Sequence, residues 1–372
     1  MRPTFHFQAH RGLDGLEQLA AQWTMLAQSI PGARFNHFPG WYRAYLTSRM
    51  SDPDTIWFIA AYRDGRELAA IAPLQFQRRR VRLLHPRLLG TVDDDELQLS
   101  DFVFAPTEYN AGLVYELIRW LRRQRMLRWD QLRILKISDD SSCAFSARSR
   151  LPTTTLAEPY DGSAWFDTSG TYEQATRAMS AKFKSNLRRR ARLADKLAPL
   201  RFQCYRQARE LDEGFNIFLE VEASGWKGSA GSSSAIRCRP AVLDFYTQVV
   251  REFGPRNECV INVMWHGNQA IASQFGLRIG RTVHILKVGY RDELALYAPG
   301  ILLHEMALRH ACEDPEVDVL SLVNNPPWAS SFKPSTVPVW IYRVPNWSAR
   351  GLLAHLALLI WRKWKPRTVD PD

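Results

Sequence analysis

Two stretches in opposite halves of the chain share one spacing. Ile56-Trp-Phe-Ile-Ala-Ala is followed by Gly65 and then Ala70, and Val260-Ile-Asn-Val-Met-Trp is followed by Gly267 and then Ala272. An apolar run, a turn residue that tolerates positive φ and a second apolar run specify a β-hairpin. Each hairpin pattern continues through a third strand pattern, a helical pattern and a further strand. This suits an α/β (mixed α+β) chain built of two similar halves, or else the chance recurrence of a common hairpin.

Hydrophobic periodicity fills in the elements. Helices are expected over 13–26, over 35–46 with Pro39 in its first turn, and over 111–127. Strands are expected over 55–62, 68–76, 81–89 and 131–137. Residues 138–164 are rich in Ser, Thr, Pro and Asp and read as a linker. Beyond it come a basic helix over 172–197 and helices over 206–224, 243–253 and 299–312. Strands are expected over 259–265, 269–279, 282–290, 317–322 and 337–343. The domain expectation is 1–150, then 165–346, then a basic, aromatic tail helix over 347–372.

Composition narrows the setting. The five cysteines are scattered, with no Cys-x-x-Cys pair, which argues against a disulfide framework and a zinc site. The N-terminus carries no apolar signal core. The longest apolar run, 352–361, contains His355 and is too short to span a bilayer. A reducing, cytoplasmic location is therefore expected. The tail, with Trp347, Trp361 and Trp364 among leucines and cations, suits peripheral association with an anionic inner-membrane face, and equally burial against the body or a partner, since its apolar residues are not confined to one face. The net charge of +11 favours polyanionic partners, or else reflects an arginine-rich solvated surface.

The densest chemistry lies between Glu222 and Gly300. Glu222, Trp226 and Lys227 put an acid, a flat aromatic and a cation at a helix end, just before a Ser/Gly loop at 229–234. Val288-Gly289-Tyr290 ends a strand, and Pro299-Gly300 opens a helix whose first N–H groups and positive dipole end suit an anion. Pro is well placed at a first helical position, and Gly300 permits close backbone approach. Candidate bases are Glu222, Asp292, His304, Glu305 and Asp318. Lys333 follows Phe332 and can meet a phosphate or carboxylate. The basic helix carries Arg177, Lys182, Lys184, Arg188, Arg189, Arg190, Arg192 and Lys196, over a buried stripe of Met179, Phe183, Leu187, Ala191 and Ala194. Gly-x-x-x-x-Gly-Lys-Ser/Thr, Gly-x-Ser-x-Gly and His-Glu-x-x-His motifs are absent, and no metal is expected.

The order Glu-Ala-Ser-Gly-Trp-Lys-Gly (222–228), hairpin, Tyr290, Tyr-Ala-Pro-Gly (297–300) resembles the GNAT-like acyltransferases of the CelD/BcsL type, relatives of the double-GNAT FemAB aminoacyltransferases. The resemblance covers the chain from the basic helix to Val344. It implies an N-acyltransferase acting on an amine or amino sugar, with acetyl-CoA or another acyl-CoA as donor. Exopolysaccharide or cell-envelope synthesis is the associated setting. It further implies that Val288, Gly289, Pro299 and Gly300 hold the donor and that Tyr290 protonates the leaving thiolate. Glu222 and Asp318 are the preferred acid–base partners, although no pattern marks either among the candidate bases. Trp226 and Lys227 belong to the family pattern and, with Lys333, are expected to contact substrate. Two departures stand out. The Arg/Gln-x-x-Gly-x-Gly loop is missing, and Phe332 replaces a tyrosine. These departures keep open a carrier-protein thioester, a charged tRNA donor, or a non-catalytic scaffold. The resemblance implies two GNAT-like domains, each a mixed, mostly antiparallel sheet flanked by helices, the N-terminal one a degenerate copy.

Overall fold

The computed structural model describes residues 4–77, 86–108, 112–141, 154–229 and 231–364. In chain order its principal elements begin with β1 (Phe5–Arg11), α1 (Gly12–Gln28), α2 (Pro39–Ser48), β2 (Ile56–Arg63), β3 (Glu67–Gln77), β4 (Leu88–Thr91), β5 (Val103–Phe104), α3 (Leu113–Arg123) and β6 (Gln131–Ser138). Then follow β7 (Leu156–Asp167), α4 (Tyr172–Ala175), α5 (Ala181–Asp195), β8 (Leu200–Tyr205), α6 (Leu211–Ala223) and α7 (Pro240–Phe253). The last are β9 (Cys259–His266), β10 (Gln269–Ile279), β11 (Thr282–Tyr290), α8 (Pro299–Glu313), β12 (Val319–Ser321), β13 (Ser335–Pro345) and α9 (Ala349–Trp364).

The chain divides into two compact units. One comprises residues 1–39, 51–162 and 337–372, the other 40–50 and 163–336. Within the first, the strands run β1-β2-β3-β4-β6-β13, with β5 on β3. Within the second, the end of β7 is followed by β12-β11-β10-β9-β8. In both units antiparallel pairs dominate, and one parallel pair closes the pattern: β4 with β6, and β11 with β12. The fold is thus a mixed α/β arrangement of mostly antiparallel sheet flanked by helices.

Both hairpins form as the spacing predicts. Asp64 and Gly65 take φ of 49° and 73°, the positive pair that a tight two-residue turn requires. The first core packs α3 onto the sheet through Leu113, Val114, Leu117, Ile118 and Leu121. The second packs α8 over β9, β10 and β11, with α6 against the same strands through Phe215, Phe218 and Phe275.

Several expectations are corrected. The linker at 138–164 contains most of β7, whose residues from Leu156 to Gly162 alternate between half-buried and exposed. That period of two is a strand signature hidden by Pro159, Asp161 and Gly162. Residues 142–153 lie outside the described residues, as does the first part of the strand expected over 81–89. The residues expected to end the C-terminal half, 337–345, pair with β6 of the first unit instead. The helix over 35–46 begins as a separate 3₁₀ turn (Phe35–His37) before Pro39 restarts it. The basic helix is broken: Thr171 and Gln174 cap one short turn, and Ser180 caps the next helix by accepting from Phe183 N–H. Strands β1 and β8 were not anticipated.

Candidate active site

The two parallel pairs differ in what happens beyond them. β11 and β12 pair only from Thr282 opposite Val319 to His284 opposite Ser321. There β12 turns away. Ser321 Oγ accepts the Val323 N–H at 3.1 Å, and Val323 takes φ of 66°, an outlier for a β-branched residue. β7 then captures the departing chain, with Leu322 N–H on Ala164 O and Ala164 N–H on Asn324 O. Across β11 the register against β10 slips by one residue, leaving Leu286 as a bulge. From Ile285 to Tyr290, the β12 side of β11 meets no strand among the described residues.

The backbone groups on that side follow from alternation. Arg291 N–H donates to Ile271 O at 2.9 Å, and Gly289 lies opposite Ser273. In an antiparallel ladder the polar groups of every second residue face the partner, so those of Gly289 face β10 and those of Val288 and Tyr290 face outward. In the first unit the corresponding edge is filled by the chain itself. Beyond the pairing of Gly90 with Arg133, Thr91 Oγ1 accepts from Leu135 N–H at 2.9 Å, and Ser100 N–H donates to Lys136 O.

The end of α6 and its following loop meet the outward edge of β11. Glu222 is 3% exposed; its Oε2 accepts from Ile236 N–H at 2.8 Å, and its Oε1 lies 3.5 Å from Lys227 Nζ. Lys227 Nζ donates to Val288 O at 2.9 Å. A methyl group on Gly225 would lie 2.8 Å from Tyr290 O and 3.2 Å from the Asp292 carboxylate. On Gly289 it would lie 2.6 Å from Glu222 Cα. On Gly300 it would lie 3.1 Å from the Tyr290 ring. Glycine at 225, 289 and 300 is therefore what lets helix, loop and strand end converge. Ala298 enters the left-handed region at φ 51°, and Pro299 starts α8.

The structure thus gathers Glu222, Lys227, Val288, Gly289, Tyr290, Pro299 and Gly300, with Trp226 at the rim, 54% exposed. Gly289 faces β10 and α6 rather than the open edge. Asp318 is not among them. It pairs with Arg281 at the opposite end of β11, about 26 Å from Tyr290 at ~3.3 Å per residue. The Arg281 hydrogen bonds hold its carboxyl below the usual carboxylate range. Lys333 is exposed, at the left-handed residue that ends the turn Pro327–Phe332. Phe332 is fully buried against His304 and Phe183. Glu305 is engaged by Arg309 at 2.8 Å. Asp292 is exposed, with no ion-pair partner among the described residues. Sequence reasoning missed Ser321 and Val323, because nothing in their residue types announces a strand that turns away.

On α5 and at its C-cap Lys196, none of Lys182, Lys184, Arg188, Arg189, Arg190, Arg192 or Lys196 pairs with a carboxylate among the described residues. No cluster of His, Cys, Asp and Glu suited to a metal ion occurs among the described residues. No helix of the described residues is long and apolar enough to cross a membrane.

Comparison with known proteins agrees with this geometry. Residues 181–326 match the family model of the acetyltransferase (GNAT) domain. No curated protein matches the chain by sequence. Among solved structures, FemX superimposes with a TM-score of 0.59 at 10% identity, over 91% of this chain and 98% of that one. The C-terminal domain of a putative lysylphosphatidylglycerol synthetase from Agrobacterium fabrum gives 0.54 at 12% identity, over 92% and 95%. A tandem GNAT protein from the clavulanic acid biosynthesis pathway gives 0.50 at 12% identity, over 93% and 100%. At these identities the likeness is one of fold.

Proposed function

We propose that the chain is an N-acyltransferase that moves an acyl group, acetyl in the simplest case, from a CoA-type thioester to an amine. The observation that carries this reading is the parting of β11 from β12 beyond His284, which leaves outward backbone groups at Val288 and Tyr290. A pantetheine arm carries amides that can pair with such groups as an added strand. The first turn of α8 follows directly and offers its positive dipole end to the pyrophosphate. The match of residues 181–326 to the acetyltransferase domain supports the same assignment.

In this reading the amine gives up a proton to Asp292, attacks the thioester carbonyl and forms a tetrahedral oxyanion. The outward N–H of Val288 or Tyr290 stabilises that charge. As the intermediate collapses, the carbon–sulfur bond breaks, and the Tyr290 hydroxyl protonates the thiolate. The proton on Asp292 returns to Tyr290 through water. Glu222 is committed to Lys227 and Ile236 N–H, so its part is to hold the loop in place. Trp226 and the rim of this loop face the acceptor, an amine or amino sugar, in the exopolysaccharide or cell-envelope setting that the motif order suggests.

A second donor is favoured by a separate observation. The cations of α5, which pair with no carboxylate among the described residues, and the net charge of +11 suit a charged tRNA, and the fold is also that of FemX. A thermal-shift series with CoA, acetyl-CoA, an acylated carrier protein and aminoacyl-tRNA separates the donors, since a ligand of the native state raises the melting temperature. A shift with acetyl-CoA, together with acetylation of an amine panel, is expected. A shift with charged tRNA alone moves the assignment to aminoacyl transfer, and no shift with any donor leaves a non-catalytic scaffold.

The location proposed is cytoplasmic, with α9 resting on an anionic membrane face. Leu352, Leu353, Leu356, Leu359 and Ile360 form an exposed apolar stripe on this helix, and Arg362 and Lys363 follow in sequence. Cosedimentation with anionic but not neutral vesicles, lost on Leu353→Glu, is the expected outcome; no cosedimentation with either would contradict it.

A further inference from the structure

His304 lies on α8, one turn beyond Gly300 and on the same helix face. Its side chain is completely buried. The imidazole is enclosed by Phe166 at 5.4 Å, Trp328 at 5.0 Å and Phe332 at 4.8 Å between ring centroids. Neither ring nitrogen has a hydrogen-bond partner among the described residues. Burial pushes the imidazole down to about 3, so the ring is neutral and carries one unused donor and one unused acceptor.

An unmatched polar ring is a poor choice for a core of this kind. Phenylalanine or leucine would fill the same space without the desolvation cost of two unsatisfied nitrogens. A bound water does not resolve the mismatch, because a buried water needs several polar partners and, of the three enclosing rings, only Trp328 carries one, its indole N–H. The fold alone therefore gives no reason for an imidazole here.

Its position supplies one. α8 packs on the β9-β10-β11 side. Phe166 sits on β7, opposite Leu320 of β12, and Trp328 and Phe332 belong to the turn that follows β12. The imidazole thus lies on the β7 and β12 side, beside Phe166 and so close to the last residues that pair β12 with β11. Of the three rings around it, only Trp328 is partly exposed, so that indole is the cover between His304 and solvent.

We propose that His304 is a donor-contacting residue: its ring N–H binds a carbonyl oxygen of the acyl-CoA arm that enters between β11 and β12, with Trp328 swinging aside. This rests on the reading of that opening as the acyl-donor site, and deepens it by naming the side chain that recognises the arm's amide or thioester carbonyl. The contact exchanges an unmatched donor for a matched one, so it favours the loaded state over the free one.

The test compares wild type with His304→Phe, using acetyl-CoA titrated by calorimetry alongside thermal melts. The variant is expected to melt higher than wild type without ligand, and to bind acetyl-CoA about tenfold more weakly, the loss of one buried neutral hydrogen bond. Equal binding by the two proteins overturns the role of His304 while leaving the donor site intact. No binding by wild type removes the donor site and this contact together. Should the variant fail to fold, ¹⁵N-histidine spectra of the wild type decide. A His304 ring-nitrogen shift on adding acetyl-CoA is expected, and an unchanged resonance in the loaded protein overturns the proposal.

Discussion

Lys227 Nζ donates to the Val288 carbonyl oxygen across 2.9 Å, on the side of β11 that no strand covers. The same ammonium lies 3.5 Å from the buried carboxylate of Glu222. One side chain therefore ties the end of α6 to the edge where the donor arm is proposed to lie. Replacing Lys227 with methionine strips the counter-cation from Glu222, which keeps only the Ile236 N–H. We expect a loss of about 2 kcal/mol in denaturant unfolding, at the low end for a broken buried pair because Lys227 is a quarter exposed. The Michaelis constant for the donor should rise in the same variant.

Tyr290 and Gly300 separate chemistry from stability. No hydrogen bond to the Tyr290 hydroxyl occurs among the described residues, so Tyr290→Phe should melt as wild type does while kcat falls ~10²–10⁴-fold, the usual range for a general acid. Gly300→Ala improves helix propensity by up to ~1 kcal/mol but presses a methyl group on the Tyr290 ring, 3.1 Å away. Its melting temperature should hold or rise while kcat falls. Gly289→Ala, with its methyl group 2.6 Å from Glu222 Cα, should instead destabilise the protein outright. Thermal melts and steady-state rates on the three variants check all of this.

The first unit carries a pH-sensitive joint. Asp130 has no exposed surface and binds Arg87 at 3.1 Å and Arg350, at the start of α9, at 3.2 Å. Burial raises its pKa, but the hydrogen bonds and charge of Arg87, with the charge of Arg350, outweigh burial and hold it below the carboxylate range. Because the folded value is depressed, this stabilisation is complete above the unfolded value of about 3.9 and is lost as pH falls through the lower folded value. Acid unfolding should therefore weaken the Asp130 joint only below about pH 4. Asp130→Asn should cost roughly 3 kcal/mol at neutral pH and flatten that acid limb; both guanidinium groups reach solvent, which keeps the cost at the low end.

Much of both units was legible in the sequence where the signals are local. The hairpins announced themselves through Gly65 and Gly267, and α8 through Pro299. The convergence of 222–228 with 288–300 followed from the order of motifs. What escaped depends on partners distant in sequence. β7 was hidden because Pro159 and Gly162 look like loop residues until a neighbouring strand is present. The turning point of β12 rests on Val323 in a conformation its own side chain disfavours, imposed by Ser321 and Ala164. Asp318 was misplaced because the motif order gives sequence neighbours, whereas the parallel pairing puts it at the far end of β11.

The most direct measurement is residue-resolved amide hydrogen exchange with and without acetyl-CoA. If the arm lies along the uncovered side of β11, the amides of Val288 and Tyr290 should become protected on loading, while that of Gly289, already facing Ser273, should not change. Unaltered exchange at Val288 and Tyr290 in protein saturated with acetyl-CoA would contradict the account.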